Sequence, residues 1–176
     1  MFFICAGNVV VLEWSHVMKK LRIYLDTSVI NFLYADDAPD FQRVTVDFFE
    51  QYAQRYDLYV SEIVLLEIGH TQDVVYRERL FDIIRTHGIP VLAFEPRDEI
   101  ISLANAYREQ GAIPKAKEED ALHVAHATVH EVDVLLSWNF KHLANVRREM
   151  RIEAINKERG YWRPLRIVSP LEVEDE

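Results

Sequence analysis

The chain has 176 residues, 49% of them hydrophobic, which is enough to bury one ordinary core and too little for two independent ones. Its single cysteine, Cys5, excludes an internal disulfide and a Cys-rich zinc site, and points to a reducing compartment such as the cytoplasm. A formal net charge of −9 excludes a protein that coats nucleic acid through bulk electrostatics.

The opening run, 2–12, is apolar but is interrupted by Gly7 and Asn8 and is too short to span a bilayer, so no membrane segment is expected. Met18 precedes two lysines and a clean strand pattern, so residues 1–17 read as an N-terminal extension and 18–170 as the folded domain. From there, short apolar runs alternate with longer amphipathic stretches. That alternation predicts an α/β fold with three layers, α/β/α, around a central parallel sheet of about five strands. Strands are expected at 21–25, 58–60, 90–94, 132–137 and 165–168, where Leu, aromatic and β-branched residues cluster. Helical spacing fills 41–54, 61–71, 74–87, 97–109 and 118–130. Ser61 reads as an N-cap, and Gly88 followed by Pro90 closes the helix before it. Residues 171–176 read as a frayed acidic tail.

In open α/β sheets ligands gather at the carboxyl ends of the strands, and polar residues there are the candidate site. Asp26 ends the first strand and precedes Thr27 and Ser28; it can cap the following helix or face a ligand. Glu67 is a charge inside the apolar stretch 63–68, and a carboxylate so placed needs a cation or a donor unless it faces solvent. Asp120 opens a helix rich in alanine, where it also suits the helix dipole. Ser137 and Asn139 stand at the end of the fourth strand, where Asn139 can equally be a turn residue. His123, His126 and His130 have i, i+3, i+7 spacing suited to zinc, although histidines among Leu122, Ala125 and Val129 more often pack or face solvent. Residues 137–166 carry eight basic residues against three acidic ones, a local balance of +5, which reads either as a basic flank or as solvated helix-surface charge.

These pieces together resemble the PIN-domain nucleases, most closely the VapC-like toxins of toxin–antitoxin pairs. The resemblance covers roughly 21–170. It is carried by Leu25-Asp26-Thr27-Ser28-Val29-Ile30, the acid in Leu65-Leu66-Glu67, the Asp120 helix with its alanines, and Leu135-Leu136-Ser137-Trp138-Asn139-Phe140. It implies a sheet ordered 3-2-1-4-5 and an acidic cluster binding Mg²⁺ or Mn²⁺. Asp26, Glu67 and Asp120 fall on the family's acidic positions, and Ser28 and Ser137 on its supporting hydroxyl positions. Asn139 stands where most members place another Asp, which puts a second metal and efficient catalysis in question. The resemblance further implies an endoribonuclease, a cognate antitoxin and a homodimer. Two other functions fit parts of the pattern. A phosphatase of the haloacid-dehalogenase type also places Asp after its first strand, but it needs a second Asp two residues on, and position 28 is Ser. A binding module that keeps the fold with weak or no nuclease activity fits Asn139.

Overall fold

The computed structural model describes residues 19–139 and 146–173. The expected extension at 1–17 lies outside them. Five strands, β1 (Arg22–Leu25), β2 (Asp57–Ser61), β3 (Val91–Leu92), β4 (Val134–Leu136) and β5 (Arg166–Val168), form one sheet in the order β3-β2-β1-β4-β5. All pairings are parallel, with Ile23 opposite both Leu58 and Val134. Class and strand order agree with the expectation from sequence. Ile23, Tyr24 and Leu25 are all buried, and because successive strand residues face opposite sides, both faces of the sheet are covered.

The connections are α1 (Thr27–Asn31), α2 (Pro39–Asp47), α3 (Glu62–Gly69), α4 (Val74–Thr86), α5 (Arg97–Glu109), α6 (Glu118–Val129), α7 (Val146–Glu158) and α8 (Pro170–Val173). The helix expected over 41–54 begins earlier, at Pro39, and opens after Asp47 into a wider turn, Phe48–Tyr52, in which Phe48 and Phe49 are both buried. The third strand, expected over 90–94, is shorter at both ends; at its start Pro90 has no N–H to donate and contributes only its carbonyl, to Val60 N at 3.1 Å. Helix α7 was not expected from spacing. Its apolar residues are split between a buried face, Ile152 and Ile155, and an exposed one, Val146 and Met150. The segment expected to fray from 171 onward instead starts inside α8, where Val173 is buried and Glu172 accepts from Ser169 N at 2.8 Å. The described helices include none long and apolar enough to cross a membrane.

This topology reverses direction at β1. The chain builds outward from β1 to β2 and β3, then returns to β1's other side for β4 and β5, which opens a crevice above the ends of β1 and β4.

Candidate active site

Asp26 sits in that crevice. Its backbone N–H donates to Leu136 O at 3.1 Å, extending the β1–β4 ladder by one bond, and its side chain caps α1 by accepting from Ser28 N at 2.6 Å. The same oxygen, Oδ1, accepts from the Ser28 hydroxyl, and Oδ2 accepts from the Ser137 hydroxyl. Asp26 is 5% exposed, so these donors substitute for lost water. Each hydroxyl is itself fixed by the turn after β4: Trp138 N donates to Ser28 Oγ at 2.9 Å and Asn139 N to Ser137 Oγ at 3.0 Å. Capping and site placement, alternatives at the level of sequence, therefore coexist in one carboxylate.

Glu67 is carried by α3, whose N-cap is Ser61 as expected: Ile63 N donates to Ser61 Oγ at 3.2 Å. Val64 and Ile68 of the same helix are fully buried and Leu66 is exposed, which leaves Glu67 at the boundary. Its Oε2 accepts from the Thr27 hydroxyl and from His123 Nε2 at 3.1 Å. Burial pushes the Glu67 carboxyl up, but the hydrogen bond and charge of His123, with Thr27 and His70, bring it below its ordinary value. Burial likewise pushes His123 down, and Glu67, Asp26 and Asp120 more than reverse that, raising it. Asp120 lies in the first turn of α6 beside Glu118 and Glu119, and its Oδ1 accepts from Asn139 Nδ2 at 3.1 Å, the amide orientation being the one this bond assigns.

Asp26, Glu67 and Asp120 thus open, together with Ser28, Asn139, Glu119, Thr27 and His123, on one cleft of about 400 Å³. Ser137 lies beneath it, fully buried. A donor set of carboxylate, hydroxyl and amide oxygens suits Mg²⁺ or Mn²⁺. The carboxylates share the cleft without being drawn into a coordination sphere: among the described residues no three His, Cys, Asp or Glu side chains are arranged to hold a metal.

The zinc alternative is not supported by the histidines' positions. His123 is engaged with Tyr24 and Glu67, and His130 Nε2 lies 3.0 Å from Ala93 O. His126 is fully buried, stacked on Phe94 and His130 with ring centroids 5.7 and 4.8 Å away, and burial and the two neighbouring imidazoles push it down to about 3. The described basic residues of 137–166 do not line the cleft either. Arg166 pairs with Glu149 at 2.8 Å and Lys157 with Glu153 at 2.6 Å, which fits the solvated-charge reading, whereas Arg163 pairs with the partly buried Asp133; Lys141 lies outside the described residues.

Tyr24, Thr27 and His123 were not among the sequence candidates for this site. Two spacings pointed to Tyr24 and His123: Tyr24 is two residues before Asp26, hence on the same side of the strand, and His123 is three after Asp120, hence on the same side of the helix.

The model of the PIN domain family matches residues 23–148. Among solved structures, VapBC2 from Rickettsia felis bound to a DNA fragment from their promoter aligns with a TM-score of 0.53 at 16% identity, covering 84% of this chain and 98% of that one. FitAB bound to an IR36 DNA fragment aligns with a TM-score of 0.49 at 19% identity, covering 84% and 94%. No curated protein matches. At 16% identity the VapBC2 likeness speaks to the fold, and the family match, which spans well over half the chain, speaks to descent: the protein belongs to the PIN domain family.

Proposed function

We propose that this protein is a Mg²⁺- or Mn²⁺-dependent endoribonuclease that hydrolyses RNA phosphodiester bonds, acting as the toxin of a toxin–antitoxin pair. The observation that carries this reading is the meeting of Asp26, Glu67 and Asp120, from three distant segments, in one cleft at the carboxyl end of the sheet. These three would hold the ion, with Asn139 beside them. A bound divalent ion supplies an activated water and stabilises negative charge developing on the phosphate. The chain's own groups prepare for that chemistry. The Ser28 and Ser137 hydroxyls hold Asp26 in one rotamer, and Thr27 and His123 hold Glu67, so both carboxylates stay fixed.

An acidic cleft also invites an Arg or Lys side chain from a partner, which would compete with the ion; a cognate antitoxin and a homodimer belong to this proposal. A second reading, a PIN-fold binding module with weak or no nuclease activity, is favoured by one observation, the amide of Asn139 where a carboxylate would add a ligand.

The test is a Mn²⁺ titration followed by thermal melting, with RNA cleavage assayed in parallel. Folding gathers carboxylates that repel one another, so Mn²⁺ should raise the melting temperature of the wild type. Asp26→Asn, Glu67→Gln and Asp120→Asn should each lose that rise and the cleavage. Equal shifts in all four proteins would sink the metal site, and metal binding without cleavage would select the binding module.

A further inference from the structure

We propose that Tyr24 and His123 form a buried strut that positions Glu67, committing one carboxylate oxygen to the protein interior and presenting the other to the cleft; this rests on Glu67 being a ligand in the proposed site. Ser61 Oγ lies 2.6 Å from the Tyr24 hydroxyl, which lies 2.7 Å from His123 Nδ1, and His123 Nε2 lies 3.1 Å from Glu67 Oε2. Ser61 and Tyr24 are fully buried and His123 is 3% exposed, so water cannot stand in for any link. An ionised carboxylate only accepts, which requires the hydrogen on Nε2. Nδ1 and the Tyr24 hydroxyl are joined in either protonation state, the hydroxyl donating to a neutral ring and accepting from an imidazolium.

The chain of bonds closes on itself. Ser61 caps α3, the helix that carries Glu67, so the strut runs from the cap of α3 through β1 and α6 and back to α3. Both contacts to Glu67, from His123 and from Thr27, fall on Oε2. Oε1 carries no hydrogen bond among the described residues, while the side chain keeps 21% of its surface exposed on the cleft. A phenylalanine would fill the Tyr24 site as well by volume, and only the hydroxyl completes the link to His123. Groups that orient a metal-binding carboxylate in this way typically account for 10- to 100-fold in metal affinity.

Four variants of the full chain test the strut, each assayed for Mn²⁺ affinity by calorimetry and for the melting temperature of the metal-free protein. Tyr24→Phe deletes one oxygen and keeps the ring; we expect Mn²⁺ binding about tenfold weaker. His123→Leu should weaken it at least as much, and His123→Gln, whose amide N–H reaches toward Glu67, should recover part of the loss. Tyr107→Phe is the control. Its hydroxyl is equally buried, bonded to Thr128 and Asn156 beyond the cleft, and its loss should lower the melting temperature while leaving Mn²⁺ affinity unchanged. The strut is overturned if Tyr24→Phe and His123→Leu bind Mn²⁺ like the wild type, or if Tyr107→Phe weakens binding as much as Tyr24→Phe. Failure of the wild type itself to bind Mn²⁺ overturns the metal-site reading, and the strut's role falls with it.

Discussion

Asn139 is where the PIN resemblance and this chain part, and its contact with Asp120 gives the difference a direction. Its amide donates to Asp120 Oδ1, an attraction that a carboxylate at 139 would turn into repulsion. Asn139→Asp should therefore lower the melting temperature of the metal-free protein while tightening Mn²⁺ binding, since an added anionic oxygen favours a hard cation. Melts with and without Mn²⁺ read both arms, and a variant unchanged in both would place residue 139 outside the site. Asp133 acts at the opposite end of the sheet. It accepts from Arg22 N at 2.8 Å and from the Arg163 guanidinium, joining the start of β1 to the start of β4. Burial pushes its carboxyl up, but the Arg22 backbone bond and the Arg163 side chain outweigh this and hold it below its ordinary value. A carboxylate with a lowered folded pKa stabilises fully above its unfolded value and loses that contribution as pH falls through the folded one. Asp133→Asn should accordingly be less stable than the wild type at neutral pH, with the gap closing toward strongly acid pH. Urea melts at pH 7 and pH 3 measure it, and a gap that does not depend on pH would count against the ionic role.

Four helices, α4 to α7, end in one pattern, in which the residue after the C-cap takes a left-handed conformation and the next N–H reaches back to a carbonyl of the last turn. Gly88, Gly111 and Gly160 occupy that position with φ of 58°, 72° and 88°, and Glu131 occupies it after α6 with φ of 54°. There Glu131 N donates to Thr128 O at 3.0 Å and Val132 N to Ala127 O at 2.9 Å. The Arg22 guanidinium donates to the carbonyls of His130 and Glu131, which draws a cation to the helix's negative end. A side chain at this φ costs about 1 kcal/mol that glycine avoids. Glu131→Gly should thus raise the melting temperature by about 2–4 °C, and Gly88→Ala should lower it by a similar amount. A Cβ at Gly88 meets nothing within 4 Å, so that loss would report backbone alone. Differential scanning calorimetry decides both, and opposite signs would show that the turn is governed by something other than φ. Of these caps, Gly88 with Pro90 was readable in the sequence; Glu131 was not, because nothing about a glutamate announces a left-handed turn.

At the scale of the molecule, strands β1, β2, β4 and β5 were legible to within a residue or two at each end, because buried parallel strands leave dense apolar runs between polar helices. Their order came from the family resemblance and not from periodicity. That the three carboxylates line one cleft followed from their places in the pattern, Asp26 at the end of a strand, Glu67 as a charge inside an apolar stretch and Asp120 in the first turn of a helix. The buried chain through Ser61, Tyr24 and His123 was not legible, as these residue types sit in many cores and only the packing of α3 and α6 against β1 brings them within reach of one another. That packing also imposes an order in time. Asp26 and Ser137 are 111 residues apart, and the Leu136 carbonyl that completes the ladder comes from the same late strand. A ribosome making this chain adds all three acids before two of the groups that seat the first of them, the Leu136 carbonyl and the Ser137 hydroxyl, exist. On the proposed reading, a partial chain that stops short of residue 136 holds its acids without the bonds that fix Asp26 to β4, so cleavage should begin only when the far side of the sheet closes.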